Sequence, residues 1–320
     1  MLIKVMAKNN KMNKKVSYST KKVELPQRVE AEVDGTAAFN WFPGHMMKAL
    51  RDIKSKVGMV DLVVEIRDAR LPLASSNSTL DAAIGGKSRL ILLNKANLAD
   101  SQQNLAWSTW FDEQNADYLF INCLERPSLK QVLSKAKSII ERKRKQCNGD
   151  DLADKEKYKF MIIGLPNTGK STFINSVANR NAAKVANKPG QTQVQQWVKV
   201  DDEMDLLDTP GVMPAQLEKE EHKIWLSIIN AIPDHVVGEE DPACFLINYL
   251  LKNKVAEFFE RYKFETQDVD LQAALHHIAK VRGCLKQKGM IDLDRVYKLV
   301  LMDFREGLIG KVTLEHPPRN

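Results

Sequence analysis

Up to about residue 233, short apolar runs alternate with longer segments in which apolar residues recur at helical spacing. The runs are four to seven residues long, the length of a buried strand, and we predict strands at 60–66, 89–93, 118–122, 160–163, 196–200 and 204–207. Helices are predicted between them: up to residue 56, around Trp107, over 129–145 and after Lys170. This alternation is typical of a three-layer α/β fold with a mostly parallel sheet.

The pattern changes beyond Pro233. Three helical patterns, at about 243–261, 270–287 and 292–308, follow without a further strand, and they predict a small all-helical domain. Residues 1–38 are too polar to pack into a core. We therefore divide the chain into a tail and linker at 1–38, an α/β domain at 39–233 and a helical domain at 234–320.

The charge is distributed unevenly along the chain. The net charge is +7, and residues 1–23 contain seven lysines and no acidic residue, so the remainder is formally neutral. Such a tail is expected to be disordered, either as an arm that contacts phosphate backbones or as a solvated extension. A mitochondrial presequence would be rich in arginine, whereas the first arginine here is Arg28, so we expect a cytoplasmic protein of bacterial type.

Composition excludes several classes of protein. Hydrophobic residues make up 43% and charged residues 28% of the chain, as in globular proteins. No apolar run reaches the roughly 18 residues needed to cross a membrane, so no membrane partner is expected. The four cysteines are scattered without a C-x-x-C pair, which argues against a zinc site or a disulfide framework.

The strand at 160–163 leads directly into a phosphate-binding motif. Residues 164–171 read G-x-x-x-x-G-K-S between a predicted strand and a predicted helix. Glycines allow the backbone N–H groups to surround phosphates at the positive end of the helix. Lys170 is predicted to reach the outer phosphates and Ser171 to ligate Mg²⁺. The predicted nucleotide contacts in this loop are Asn167, Thr168, Gly169, Lys170, Ser171 and Thr172.

A second motif, D-x-x-G, follows the strand at 204–207. Asp208 is placed to hold Mg²⁺ through water, and the Gly211 N–H is placed to sense the γ-phosphate. Thr192, after a glycine-containing loop, is placed to close over Mg²⁺ and the γ-phosphate as a switch threonine does. These residues and the phosphate loop together predict hydrolysis of a nucleoside triphosphate.

The base-reading motifs stand in an unusual place. Asn94, Lys95 and Asn97 resemble the N-K-x-D guanine reader, and Asn122 with Cys123 follows the next strand. In an ordinary GTPase these motifs follow the phosphate loop, whereas here they precede it. The chain therefore predicts a circularly permuted P-loop GTPase domain, in which the loop after Gly211 leads into the helical domain.

Taken together, the motifs resemble those of the YlqF/RbgA-type ribosome-assembly GTPases over about residues 39–316. The resemblance is carried by residues 41–46, 68–72, 164–172, 189–192, 196–200, 206–211 and 280–285. It implies a GTPase that acts late in maturation of the large (50S) ribosomal subunit, is stimulated by that subunit and is released after hydrolysis. It also implies that the helical domain contacts ribosomal RNA. We expect a monomer whose partners are the RNA and proteins of the large subunit, with no DNA partner.

Two site residues take their expected roles from this resemblance. Val212 stands where many GTPases have a water-orienting glutamine, so the resemblance implies that His45 is catalytic together with Lys170 and Thr192. The alternative is that His45 caps the helix that follows it. Asn167 resembles the residue that holds K⁺ in potassium-stimulated GTPases; alternatively, it is a turn asparagine.

The sequence also departs from the family pattern. Asn97 replaces the aspartate of the guanine reader, and an amide cannot offer two acceptors to the two guanine N–H donors. Cys123 replaces the more usual serine, with little expected effect because that position acts through its backbone N–H. Two alternatives to a GTPase therefore stay open: an RNA- or ribosome-binding module that holds nucleotide with little turnover, and an ATPase of similar fold.

Overall fold

The computed structural model describes residues 44–148, 157–178, 196–214, 217 and 219–318, with only the backbone described for His45. The lysine-rich tail, Thr192 and the motif at 189–192 lie outside the described residues. The described residues from Gly44 onward belong to one compact unit.

Among the described residues, six strands form one sheet in the order β3-β2-β1-β4-β6-β5. Only β5 runs antiparallel to its neighbour, β6. The strands are β1 Leu62–Asp68, β2 Arg89–Asn94, β3 Tyr118–Phe120, β4 Tyr158–Ile163, β5 Gln196–Lys199 and β6 Met204–Asp208. The predicted mostly parallel sheet is confirmed, and β4, which leads into the phosphate loop, lies at its centre beside β1.

Helices cover both faces of the sheet, because neighbouring side chains of β4 point to opposite faces and both sets are apolar. Phe160 and Ile162 of β4 pack under one pair of helices, and Met161 and Ile163 pack under another. The first pair is α4 (Arg126–Asn148) and α5 (Lys170–Val177). On the opposite face lie α1 (Gly44–Lys56), α2 (Ser78–Ile84) and α3 (Ser101–Glu113). This is the three-layer arrangement that the sequence pattern predicted.

The C-terminal part is helical, as predicted, but its first pattern is divided. Its helices are α6 Glu220–Ile228, α7 Asp234–Val237, α8 Glu240–Lys252, α9 Ala256–Arg261, α10 Leu271–Val281 and α11 Leu293–Arg305. The pattern at 243–261 forms two helices, because the chain turns at Lys254, whose φ is +49°. The pattern at 270–287 ends early, since Gly283 adopts a φ of +66°, a conformation that stops an α-helix.

The helices of the C-terminal part share a hydrophobic core with the α/β part. Leu71, Leu165 and Met213 belong to the same buried cluster as residues of α8, α10 and α11. Leu165 lies in the phosphate loop and Met213 directly follows the D-x-x-G motif, so both nucleotide-site loops pack against the helices. The boundary between residues 233 and 234 stays a prediction.

Residues 311–316, here called the C-terminal strap, return across the α/β part. The Val312 N–H donates to the carbonyl of Leu98 at 3.1 Å, and the Leu314 N–H donates to the carbonyl of Arg70 at 3.0 Å. The buried Glu315 carboxylate accepts the N–H groups of Leu73 at 2.7 Å and Ala74 at 3.0 Å. The strap therefore ties the end of the chain to the loops that follow β1 and β2.

No α-helix within the described ranges is both long and apolar enough to cross a membrane.

The burial of Glu315 predicts a pH-dependent contribution to stability. Burial raises the pKa of Glu315 to about 7, although the N–H groups of Ala74 and Leu73 oppose the shift. A carboxyl whose pKa is higher in the folded state stabilises the fold most at low pH, and this contribution is lost as the pH rises through about 7. Glu315→Gln cannot titrate and keeps an oxygen for both N–H groups. Between pH 5 and pH 8, the free energy of unfolding of the wild type should therefore fall relative to that of Glu315→Gln, by up to about 3 kcal/mol.

Urea unfolding of both proteins at the two pH values measures this difference. Glu306→Gln, at an exposed position, is the matched control and should follow the wild type at both. A constant difference between Glu315→Gln and the wild type would contradict the prediction.

Candidate nucleotide-binding site

The site lies at the carboxyl ends of the parallel strands. Asp68 ends β1, Asn94 ends β2 and is its register partner, Gly164 follows β4, and Asp208 ends β6. Because these strands are parallel neighbours, their ends meet at one edge of the sheet, which is where ligands bind in open α/β folds. The topology therefore brings together motifs that are more than 100 residues apart in the chain.

Two glycines allow the phosphate loop to approach the neighbouring strands. Gly164 has a φ of +144° and Gly169 a φ of +105°. A Cβ at Gly164 would collide with the backbone carbonyl of Ile66 in β1, and a Cβ at Gly169 would overlap the side-chain amide of Asn94. Glycine is therefore required at both positions for steric reasons as well as for backbone conformation.

Lys170 is buried at the start of α5. Its ammonium group donates to the carbonyl of Leu165 at 2.7 Å. A Cβ at Gly211 would lie 3.0 Å from the same nitrogen, so the D-x-x-G turn passes close to it. Burial lowers the pKa of Lys170 to about 8, although the charge of Asp208 opposes the shift. A polyphosphate bound here would add negative charge beside this cation and oppose the effect of burial on its pKa.

Two of the three predicted magnesium ligands are described, and their chemistry fits the ion. Ser171 is exposed in the first turn of α5, and Asp208 is buried at the end of β6, where its charge acts on Lys170. A hydroxyl and a carboxylate with nucleotide phosphates form the oxygen-rich, incomplete protein shell that suits Mg²⁺. Thr172 is exposed beside Ser171, and Thr192 lies outside the described residues.

Asn94 connects the base-reading loops to the phosphate loop. Its amide nitrogen donates to the carbonyl of Thr168 at 2.9 Å, and its amide oxygen accepts the N–H of Cys123 at 3.1 Å. The side chain is buried, and these bonds fix its orientation. Asn94 therefore aligns three loops, a role that the sequence motif did not reveal.

Asn97, Asn122 and Cys123 are the other residues predicted to read the base, and they lie in the loops that follow β2 and β3. Asn97 is exposed in a short 3₁₀ helix at Ala96–Leu98. The side-chain oxygen of Asn122 accepts the N–H of Leu124 at 3.1 Å, which shapes the loop after β3. Burial raises the pKa of the Cys123 thiol, so this cysteine is expected to be chemically inert.

Lys95 is held in place by two acceptors. Its backbone is left-handed, with a φ of +60°, and its ammonium group donates to Asp68 at 2.9 Å and to the carbonyl of Asn167 at 2.9 Å. Asp68 in turn receives two bonds from the Arg70 side chain, at 2.9 and 2.8 Å, and one from the Arg70 backbone N–H at 3.1 Å. Burial alone would raise the pKa of Asp68, but the charges of Arg70 and Lys95 outweigh it and hold the pKa well below its usual range.

Asp68 and Arg70 are site residues that the motifs of the sequence did not predict. The available signal was the D-A-R-L-P motif at 68–72, which places both charges directly after a buried strand. Because only the fold shows that β1 and β2 are neighbours, the partnership with Lys95 was not readable from the motif.

Asn167 faces the helical part of the protein. Its amide nitrogen donates to the carbonyl of Asn230 at 2.6 Å, beyond the end of α6. Since the acceptor there is a carbonyl, the nitrogen must point to it and the amide oxygen points elsewhere. That oxygen is the only side-chain atom of Asn167 able to ligate a cation, so a K⁺ site stays a prediction.

Val212 is a core residue. It is fully buried in a cluster with Ala49 and Ile53 of α1, and its carbonyl accepts the amide of Asn77 at 2.6 Å. An aliphatic side chain in this position cannot orient water. His45 is the second residue of α1, and the adjacent Met46 packs against the cluster that contains Val212.

Comparisons with known proteins agree with this geometry. The family of 50S ribosome-binding GTPases matches residues 159–277. Ribosome biogenesis GTPase A of Bacillus cereus is 37% identical over 277 residues, covering 87% of this chain and 93% of the relative. Mitochondrial ribosome-associated GTPase 1 of Mus musculus is 31% identical and covers 88% of this chain and 92% of the relative.

A solved structure shares both the fold and the sequence pattern. The crystal structure of GNP-bound YlqF from T. maritima matches with a TM-score of 0.59 and 27% identity. The match covers 85% of this chain and 100% of that chain.

The lowered pKa of Lys170 predicts proton uptake on nucleotide binding. At pH 8.5 a group with a pKa of about 8 is deprotonated in most molecules, and bound phosphates should restore the protonated form of Lys170. GDP binding should therefore take up about 0.7 proton at pH 8.5 and about 0.2 at pH 7.5. The phosphates themselves are ionised at both values.

Titration calorimetry in buffers of different ionisation enthalpy measures this uptake. Comparison of the two pH values in the same protein is the control, because only the Lys170 contribution should grow. Equal uptake at pH 7.5 and 8.5 would contradict the prediction.

Proposed function

Because this chain belongs to the ribosome biogenesis GTPase A family, it is a GTP-hydrolysing enzyme of ribosome assembly, and we propose that it acts late in maturation of the large (50S) subunit. Contact with the subunit stimulates hydrolysis, and hydrolysis is coupled to release. The observation that carries this proposal is the shared core of the D-x-x-G loop and the C-terminal helices.

The loop after Asp208 supports such coupling. Val212 packs under α1, whereas its neighbour Met213 packs with the C-terminal helices. A shift of Gly211 toward a γ-phosphate therefore displaces a residue of the core under α1 and a residue of the core of the C-terminal helices together. Since packed cores change between discrete arrangements, a small shift at the phosphate can reorient the helices.

An exposed basic segment supports contact with ribosomal RNA. Between Leu271 and Ile291 the chain has no acidic residue, and its cations are Lys280, Arg282, Lys286 and Lys288. Leu285 and Met290 are exposed among them, at 41% and 62%. Cations attract RNA phosphates, and exposed apolar side chains can pack on bases.

We also propose the ligands of the site. GTP and Mg²⁺ are bound through the phosphate loop, Ser171, Thr192 and Asp208 are ligands of the metal, and Asn167 holds K⁺. The bacterial relatives of B. cereus and Priestia megaterium are 37% and 35% identical, above the 31% of the murine mitochondrial relative. We therefore propose a bacterial-type cytoplasmic protein, and we keep the separate expectation that it works as a monomer.

His45 is the proposed catalytic residue that positions the attacking water. Val212 cannot do so, and α1, which carries His45 in its first turn, packs on the cluster that contains Val212. Engagement of the subunit would bring the His45 side chain to the γ-phosphate.

GTP turnover with and without purified large subunits, in potassium buffer, tests the proposed function. We expect turnover to rise by about tenfold or more, because the subunit completes the catalytic arrangement. Small subunits are the control and should give no rise. Binding to large subunits without faster turnover would favour the nucleotide-holding module instead.

Replacement of His45 separates catalysis from helix capping. His45→Ala should lose subunit-stimulated turnover by about 100-fold while GTP affinity stays unchanged. His45→Asn is the matched variant, because asparagine can cap a helix but cannot replace an imidazole in this role. Stimulated turnover retained by His45→Asn would mean that the residue acts as a cap.

A further inference from the structure

A buried carboxylate lies behind the guanine-reading lysine. Asp68 is fully buried and is shared by two cations, Arg70 on one side and Lys95 on the other. The Arg70 side chain is 1% exposed, whereas that of Lys95 is 25% exposed. Asp68 therefore connects a cation of the interior to a cation of the nucleotide site.

This carboxylate determines where Lys95 lies. A lysine side chain is long and flexible, and one that is a quarter exposed would extend into water without an anchor. Asp68 and the carbonyl of Asn167, each 2.9 Å away, hold the ammonium group against the phosphate loop. With the ammonium group fixed there, the four-carbon stem is held ready to cover a purine ring.

Arg70 in turn fixes Asp68, and the last turn of α11 fixes Arg70. The guanidinium group grips Asp68 with two hydrogen bonds and donates a third to the carbonyl of Phe304 at 3.2 Å. It also lies 4.7 Å from the centre of the Phe304 ring. A buried guanidinium between a carboxylate and an aromatic ring has a single favourable position, so movement of α11 must displace the ion pair.

The next residue of α11 reaches the opposite side of the phosphate loop. Arg305 donates to the carbonyls of Ser227 and Ile228 at the end of α6, at 2.8 and 2.9 Å. The carbonyl of Asn230, just beyond α6, accepts the side chain of Asn167. Two series of contacts therefore join the end of α11 to Asn167. One runs from Phe304 through Arg70, Asp68 and Lys95. The other runs from Arg305 through the end of α6 to the carbonyl of Asn230.

We propose that Asp68 and Arg70 are positioning residues for Lys95, and that through them the placement of Phe304 at the end of α11 sets the affinity of the site for guanine nucleotides. The inference rests on the proposed role of Lys95 as a guanine reader. It adds a route by which a partner bound to the C-terminal helices would change nucleotide affinity in the α/β part.

Phe304→Leu tests the proposal without introducing a buried charge. It removes the ring from Arg70 and keeps an apolar side chain in the core. Fluorescent GDP should bind about fivefold more weakly, since Lys95 loses its fixed position. Phe259→Leu is the matched control, because Phe259 is similarly buried but packs against Phe258 and Phe264. It should leave GDP affinity unchanged.

A double-mutant cycle shows whether the effect passes through Lys95. In a Lys95→Met background, Phe304→Leu and Asp68→Asn should each cause no further loss of GDP affinity. Thermal unfolding identifies any variant that fails to fold, and Phe304→Leu decides the question if Asp68→Asn does not fold.

The outcomes separate the two ideas. If Lys95→Met binds GDP as tightly as the wild type, the guanine-reader assignment fails and the inference fails with it. If Lys95→Met weakens binding but Phe304→Leu has no effect, or weakens binding equally in both backgrounds, the inference alone is overturned. Neither result bears on stimulation by the large subunit, because these titrations contain no ribosomal particles.

Discussion

A carboxylate buried at the end of β1 constrains much of this structure. An ionised Asp68 in the interior requires partners, because desolvation without compensation costs several kcal/mol. Arg70 supplies three hydrogen bonds, two from its side chain and one from its backbone N–H, and Lys95 supplies one from the nucleotide side. The relative positions of the end of β1, the loop after β2 and the last turn of α11 therefore depend on this one buried charge.

Packing also couples the loops of the nucleotide site to the C-terminal helices. Leu165 in the phosphate loop and Met213 after the D-x-x-G motif are buried with the C-terminal helices, and the C-terminal strap bonds to the loops after β1 and β2. Close packing transmits displacement, because an interior at crystal-like density cannot absorb it. The D-x-x-G loop at 208–211 also leads directly into these helices along the chain, so chain order and packing connect the same two parts of the protein.

Much of the fold was readable from the sequence. The strand at 160–163 was predicted from an uninterrupted apolar run bounded by the phosphate loop, and the helix after Lys170 from the segment that follows it, because such local patterns reflect burial directly. The misplaced boundaries, at Lys254 and Gly283, lie where a positive φ interrupts an apolar pattern that continues past it. The identity of the phosphate loop was equally clear, since its glycines, lysine and serine each answer a local requirement of phosphate binding.

The sequence by itself determined which segments form strands, the permuted order of the motifs and the presence of a phosphate loop at residues 164–171, because these depend on residues near one another in the chain. Only the tertiary structure decided that Val212 is a core residue, that Asn94 aligns three loops and that Arg70 joins Lys95 to Phe304. Such contacts span up to 234 residues. Local patterns carry no information about which distant side chain will meet a buried charge, and the packing of helices on the sheet settles that choice.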